Sequence, residues 1–67
     1  MAARVERLSA AEVQVCRFRF ETINRAYDAL RPRLNGMAWP IFKRALHGGP
    51  VPAGIVRAIR AALRDAA

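Results

Sequence analysis

The chain has 67 residues, a net charge of +7, 54% hydrophobic side chains and 25% charged ones. One core of this size excludes a deep substrate cavity and favours self-association or a partner, while the apolar content excludes a disordered tail. The lone Cys16 excludes an intramolecular disulfide. With no apolar run of membrane-spanning or signal-peptide length, the chain is expected to be soluble and cytoplasmic.

In chain order, the first signal is Ser9-Ala10-Ala11-Glu12, which has the form of a capping box: the serine oxygen takes a free backbone N–H and the glutamate reaches back. Val13, Cys16, Phe20, Ile23, Tyr27, Leu30 and Leu34 then follow at alternating spacings of 3 and 4. That unbroken apolar heptad stripe predicts one long, one-sided helix over about 10–31. Glu21 with Arg25 and Asp28 with Arg31 sit at ion-pair spacing on its wet faces.

Pro32 ends that helix or starts one more short turn through Leu34, and Asn35-Gly36 marks a turn. Trp39-Pro40 opens a second helix over about 39–47, with proline where its missing N–H does no harm, and His47-Gly48-Gly49-Pro50 stops it. Pro52 leads into a third helix over about 53–65, with Ile55, Ile59, Ala62 and Leu63 on one face and Arg57, Arg60 and Arg64 on another. The expected fold is all-α: a single domain over 1–67, a compact three-helix bundle with a long first helix and a helix-turn-helix-like C-terminal half.

Charge is unevenly spread. Residues 1–30 carry five arginines against four carboxylates, net +1, and residues 31–67 carry seven Lys or Arg against Asp65 alone, net +6. A one-sided positive field gathers polyanions, nucleic acid first and an anionic membrane second. The apolar stripes are needed for a core, which argues against the membrane. One cysteine, one histidine and five scattered carboxylates offer no metal site and no cofactor is implied. Ser9, Thr22 and Cys16 are remote in sequence from His47, so no nucleophile–base pair is read, and Gly48-Gly49 is a helix stop and not a phosphate loop. An enzyme acting on a small-molecule substrate is not expected.

From Gly36 to Leu63 the chain resembles the recognition half of the lambda-repressor-like helix-turn-helix superfamily, in particular its lac-repressor branch. That branch has a Gly-Val-Ser turn, an aromatic residue, a Thr-Val-Ser-Arg-Val helix, an Asn, a loop with Val-Ser, and a helix of repeating Arg, Val and Ala. The corresponding residues here are Gly36-Met37-Ala38-Trp39-Pro40-Ile41-Phe42-Lys43-Arg44-Ala45-Leu46-His47, then Gly48-Gly49-Pro50-Val51-Pro52-Ala53, then Ile55-Val56-Arg57-Ala58-Ile59-Arg60-Ala61-Ala62-Leu63. The family's compact helix before the turn is replaced by Arg31-Pro32-Arg33-Leu34-Asn35. Either a short helix starts at Pro32 or the long heptad helix takes the place of the usual pair.

The resemblance implies a DNA-binding transcriptional regulator, a small repressor of phage or mobile-element kind, with double-stranded DNA as partner. Ala38, Trp39, Pro40, Lys43, Arg44 and His47, with Arg33 and Arg57, would face DNA, Arg44 reading a base, while Arg57, Arg60 and Arg64 would contact the backbone or solvate the third helix. The residue chemistry agrees, since a guanidinium bridges the two acceptors of guanine and positions 43, 44 and 47 oppose 42, 45 and 46 on a helix. Trp39 and Phe42 read more readily as core than as DNA contacts, with Phe42 expected buried and Trp39 partly covered, and His47 reads as a polar helix stop before a pH switch.

The heptad stripe can be the floor of the bundle, or its first part, Val13, Cys16 and Phe20, can pair with a second copy in a homodimer. The competing function is a small basic helical inhibitor or adaptor that docks on an acidic protein surface. That reading makes neutralisation of Arg44 no worse than neutralisation of Arg60.

Overall fold

The computed structural model describes residues 4–66; residues 1–3 and 67 of the expected domain lie outside the described residues. The chain is mostly helical, in the order β1 (Val5–Glu6), α1 (Ala10–Phe20), α2 (Ile23–Leu30), a 3-10 turn (Arg31–Arg33), α3 (Trp39–Leu46), β2 (Val51–Pro52) and α4 (Ala53–Asp65). The expectation of three helices is thus corrected, among the described residues, to four α-helices and a two-stranded ribbon.

The capping box forms as read: Glu12 N–H donates to Ser9 Oγ at 3.1 Å and Ser9 N–H donates to Glu12 Oε1 at 2.9 Å. The expected long helix over 10–31 does not. It breaks at Glu21, whose φ is +69° and ψ −50°. There Thr22 N–H donates to Phe20 O at 2.8 Å, closing a three-residue turn. Thr22 then caps α2, its hydroxyl accepting from Arg25 N–H at 3.1 Å. The stripe concealed this break because its spacing runs on across it. Phe20 and Ile23 both pack on the core, one from each helix.

Pro32 lies inside the 3-10 turn that directly continues α2, where its fixed φ is tolerated. One short turn from Pro32 to Leu34 is thus present as read, closed by Leu34 N–H donating to Arg31 O at 3.1 Å, but what precedes it is a separate eight-residue helix, α2, and not the long heptad helix. Asn35 (φ +53°) and Gly36 (φ +77°) make the reversal, and Met37 N–H donates to Leu34 O at 3.1 Å. α3 ends with Gly48 at φ +80°. Gly48 N–H donates to Ala45 O at 3.0 Å and Gly49 N–H to Arg44 O at 2.9 Å, the paired bonds that satisfy the last carbonyls of a helix.

The ribbon pairs Val5 with Pro52 and Glu6 with Val51, antiparallel. At two residues a strand it is too short to leave a period in the sequence. It nevertheless sets the start of α4, because Ala53 N–H donates to Arg4 O at 2.9 Å. The core is apolar throughout the described residues, with Phe42, Leu30, Leu46, Ile59, Val56 and Cys16 its largest fully buried side chains.

The whole stripe goes into this core. Leu30, Leu34 and Cys16 are buried, and Val13, Phe20, Ile23 and Tyr27 are half-buried against them. Of the residues expected at a homodimer surface, Cys16 is corrected to a core residue, 1% exposed, while Val13 and Phe20 are half-buried against the same interior. Burial also raises the Cys16 thiol pKa, against a smaller lowering by Arg19, as befits a small core residue.

Candidate nucleic-acid interface

α3 has two opposed faces. Phe42, Ala45 and Leu46 are buried, while Pro40, Lys43, Arg44 and His47 are exposed. At 3.6 residues per turn those four exposed residues fall within about 100° of arc. The inward three are what hold the outward four in place.

An aromatic triad holds the start of α3 against α2. Tyr27 meets Trp39 edge-on with ring centres 5.3 Å apart and meets Phe42 at 5.2 Å, and Trp39 stacks on Phe42 at 6.5 Å. The Tyr27 hydroxyl donates to Met37 O at 2.7 Å and so fastens the connection between the helices as well. Trp39 is half-buried in this cluster, which leaves it as an anchor more than a projecting group. Tyr27 was legible only as one more stripe residue; its anchoring role comes from the aromatic contacts.

Arg44 is exposed, but its stem has a fixed neighbour. A Cβ on Gly49 would lie 2.9 Å from Arg44 Cγ and 3.1 Å from Arg44 O, so the glycine backbone lies directly against the side chain. Ala38, at the N-cap of α3, is exposed and carries no side-chain cap bond, and the first turn of α3 holds no acidic residue. Beyond the other end of the helix, His47 lines a groove of about 420 Å³ with Leu8, Val13, Leu46 and Arg17. Arg17 was not singled out by its sequence context, because it is four residues after Val13 on a helix read for its apolar stripe. The structure brings it to the same groove as His47.

Arg33 is exposed in the 3-10 turn that leads towards α3. Arg57 is exposed on α4, one turn before Arg60, and among the described residues it is in no ion pair with a carboxylate. The stripe Arg57, Arg60 and Arg64 is not uniform. Arg60 is held by Glu12, its Nε 2.6 Å from Oε2, and lies 4.0 Å from Glu6. Arg64 pairs with its neighbour Asp65 at 3.7 Å.

Three carboxylates, Glu6, Glu12 and Asp65, are thus engaged by arginines of α4. Glu21 pairs with Arg25 at 3.3 Å, as its spacing suggests. Asp28 and Arg31 form no ion pair in this structure; Asp28 lines a small hollow with Asn24, Tyr27 and Trp39, and the Arg31 guanidinium sits 5.9 Å from the Tyr27 ring centre. Between Asp28 and Asp65 there is no carboxylate at all. Among the described residues no group of His, Cys, Asp and Glu could hold a metal ion, and no helix is long and apolar enough to cross a membrane.

Set beside known proteins, the chain matches no family model, no curated protein and no solved structure.

Proposed function

We propose that this protein binds double-stranded DNA in a sequence-dependent way, as a small transcriptional regulator, with α3 as the helix that enters the major groove. The observation that carries the reading is the two-faced α3: Lys43, Arg44 and His47 outward, Phe42, Ala45 and Leu46 inward, in a stretch of chain without a carboxylate. A rigidly anchored helix with cations on one side suits both requirements of DNA recognition, attraction to phosphate and presentation of donors to base edges.

Arg44 is the residue best suited to a base contact, its stem steadied by Gly49 and its guanidinium free to bridge guanine O6 and N7. Lys43, His47 and Arg17 would meet phosphates on either side, as would Arg33. Pro40, with no N–H and a fixed φ, starts the helix without bulk in the groove. Arg60 is excluded from this set because Glu12 holds it. Arg57 is therefore the better comparator for a merely electrostatic role.

The test is binding of purified protein to duplex DNA from upstream of its own gene, against a scrambled duplex, over a salt series. Wild type is compared with Arg44→Ala and Arg57→Ala. A preference of about a hundredfold or more that Arg44→Ala removes and Arg57→Ala retains supports the reading. Equal, steeply salt-dependent binding to both duplexes, with the two variants alike, would instead assign the basic face to an acidic protein partner.

A further inference from the structure

We infer that the outward face of α1, formed by Ala11, Val15 and Phe18, is a docking surface for a second copy of this chain, paired antiparallel about a two-fold axis between Gln14 and Val15. Phe18 is 90% exposed and Val15 53% exposed. The spacing 11, 15, 18 places them on the side of α1 opposite Val13, Cys16 and Phe20, which face the core. Beside Phe18 lies a shallow apolar hollow of about 450 Å³, lined by Ala11, Gln14, Val15 and Phe18 itself.

Projection and hollow on one helix face are what a two-fold interface requires, because each copy must offer both halves of the contact. With the axis between Gln14 and Val15, Phe18 of one copy arrives over Ala11 of the other, the smallest residue lining the hollow. A parallel pair would set Phe18 against Phe18 and leave both hollows empty. The face itself, Ala11, Gln14, Val15 and Phe18, carries no charge, so in a chain of net charge +7 it is a place where two copies can meet without bringing like charges into contact.

Area sets the strength. α1 is about 16 Å long at 1.5 Å per residue, and two phenylalanines at about 150–250 Å² each, with Val15 and Ala11, bury on the order of 800–1,000 Å² in all. That is the low end for a specific interface, so the pair is a weak, concentration-dependent dimer in free solution. The inference rests on the DNA reading for its use: two half-sites on one duplex would raise the local concentration of the copies and complete the pairing.

The experiment is sedimentation equilibrium of the full chain without DNA, from about 1 µM to 1 mM, with dissociation expected on the order of 10–100 µM. Phe18→Asp, checked for an unchanged circular dichroism spectrum, is expected to weaken association at least tenfold. Val15→Cys, beside the axis, should give a disulfide-linked dimer on mild oxidation, whereas the wild type, whose one thiol is buried, should not. A wild type that stays monomeric with no Val15→Cys cross-link overturns the inference, as does association that Phe18→Asp leaves intact. Phe18-dependent attachment of a monomer to phosphatidylglycerol vesicles would also overturn it, in favour of a lipid surface. A single half-site duplex measured separately tells the two readings apart: binding there without self-association sinks only the dimer, and self-association without binding sinks only the DNA reading.

Discussion

The Arg60 guanidinium of α4 grips the carboxylate of Glu12 at the start of α1, with Nε donating to Oε2 at 2.6 Å and Nη2 to Oε1 at 3.1 Å, while the same carboxylate accepts the Ser9 N–H of the capping box. One residue therefore closes a helix end and ties that end to a segment 48 positions away. Arg19 makes a second tie from α1, donating to Leu63 O at 3.1 Å and Ala66 O at 2.8 Å near the end of α4. In a domain with a small core, such ties order elements that pack lightly.

Acid should release the Glu12 tie. The hydrogen bond from Arg60 is the largest cause, and the Ser9 N–H the next, of a Glu12 pKa lowered from 4.5 to about 2. A pKa lower in the folded state means stability that is complete above about 4.5 and is lost as pH falls towards 2. The Arg60 side chain is 45% exposed, so solvent screens the pair and the loss is expected on the order of 1 kcal/mol, less than the shift taken at face value. Urea melts down this pH range should show it, and Glu12→Gln should flatten that part of the curve. An identical slope in Glu12→Gln would show that another group is responsible.

Glu21 should respond to substitution in opposite directions. Its φ of +69° is unfavourable for any side chain and worst for a β-branched one. Glu21→Val is expected to cost about 1–3 kcal/mol, whereas Glu21→Gly should be neutral or stabilise by up to about 1 kcal/mol. The exposed pair with Arg25 contributes only a few tenths to either value. Thermal melts decide this, and two variants that are equally destabilised would rule out the strained turn.

Tyr27→Phe keeps the aromatic triad but removes the hydroxyl that donates to Met37 O. A part-buried carbonyl left without that donor should cost about 1 kcal/mol. Since the lost bond ties α2 to the α2–α3 connection, hydrogen exchange at Met37, whose N–H donates to Leu34 O, should quicken more than exchange in α4. Uniform quickening would argue against a local tether.

Gly49→Ala places a methyl against Arg44 at separations of 2.9 and 3.1 Å, so the helix end or the arginine must shift. The expected cost is about 1–3 kcal/mol. A Cβ added at Gly54, in the first turn of α4, would meet open space, with no atom beyond its own stretch of helix within 4 Å. Gly54→Ala should therefore stabilise by up to about 1 kcal/mol. If α3 binds DNA, Gly49→Ala should also weaken specific binding at temperatures where it remains folded, and Gly54→Ala should not. Equal duplex affinities for the two would separate Arg44 from recognition.

Much of the local structure could be read directly from residue order. The Ser9–Glu12 box, the start of the second predicted helix at Trp39-Pro40 and its stop at Gly48-Gly49, and the span of the last helix all depend on neighbours a few positions apart, and all take the expected form. The inward and outward faces of α3 were legible for the same reason, since helical period alone separates Phe42, Ala45 and Leu46 from Lys43, Arg44 and His47. The break at Glu21–Thr22 was not, because Phe20 and Ile23 keep the stripe's spacing through a turn whose backbone geometry has no signature in apolar periodicity.

What the sequence determined by itself, then, is the helical character, the caps and the basic C-terminal half, since propensity, periodicity and net charge are local or additive properties. Only the tertiary structure decided how those pieces are used. It consumed the heptad stripe in the chain's own core, committed Arg60 to Glu12 while leaving Arg44 exposed, set Arg17 and His47 on one groove and left Phe18 bare. Each of these turns on which residues distant in the chain come within a few ångströms of one another, and burial and pairing at that range depend on the folded path and not on order along it.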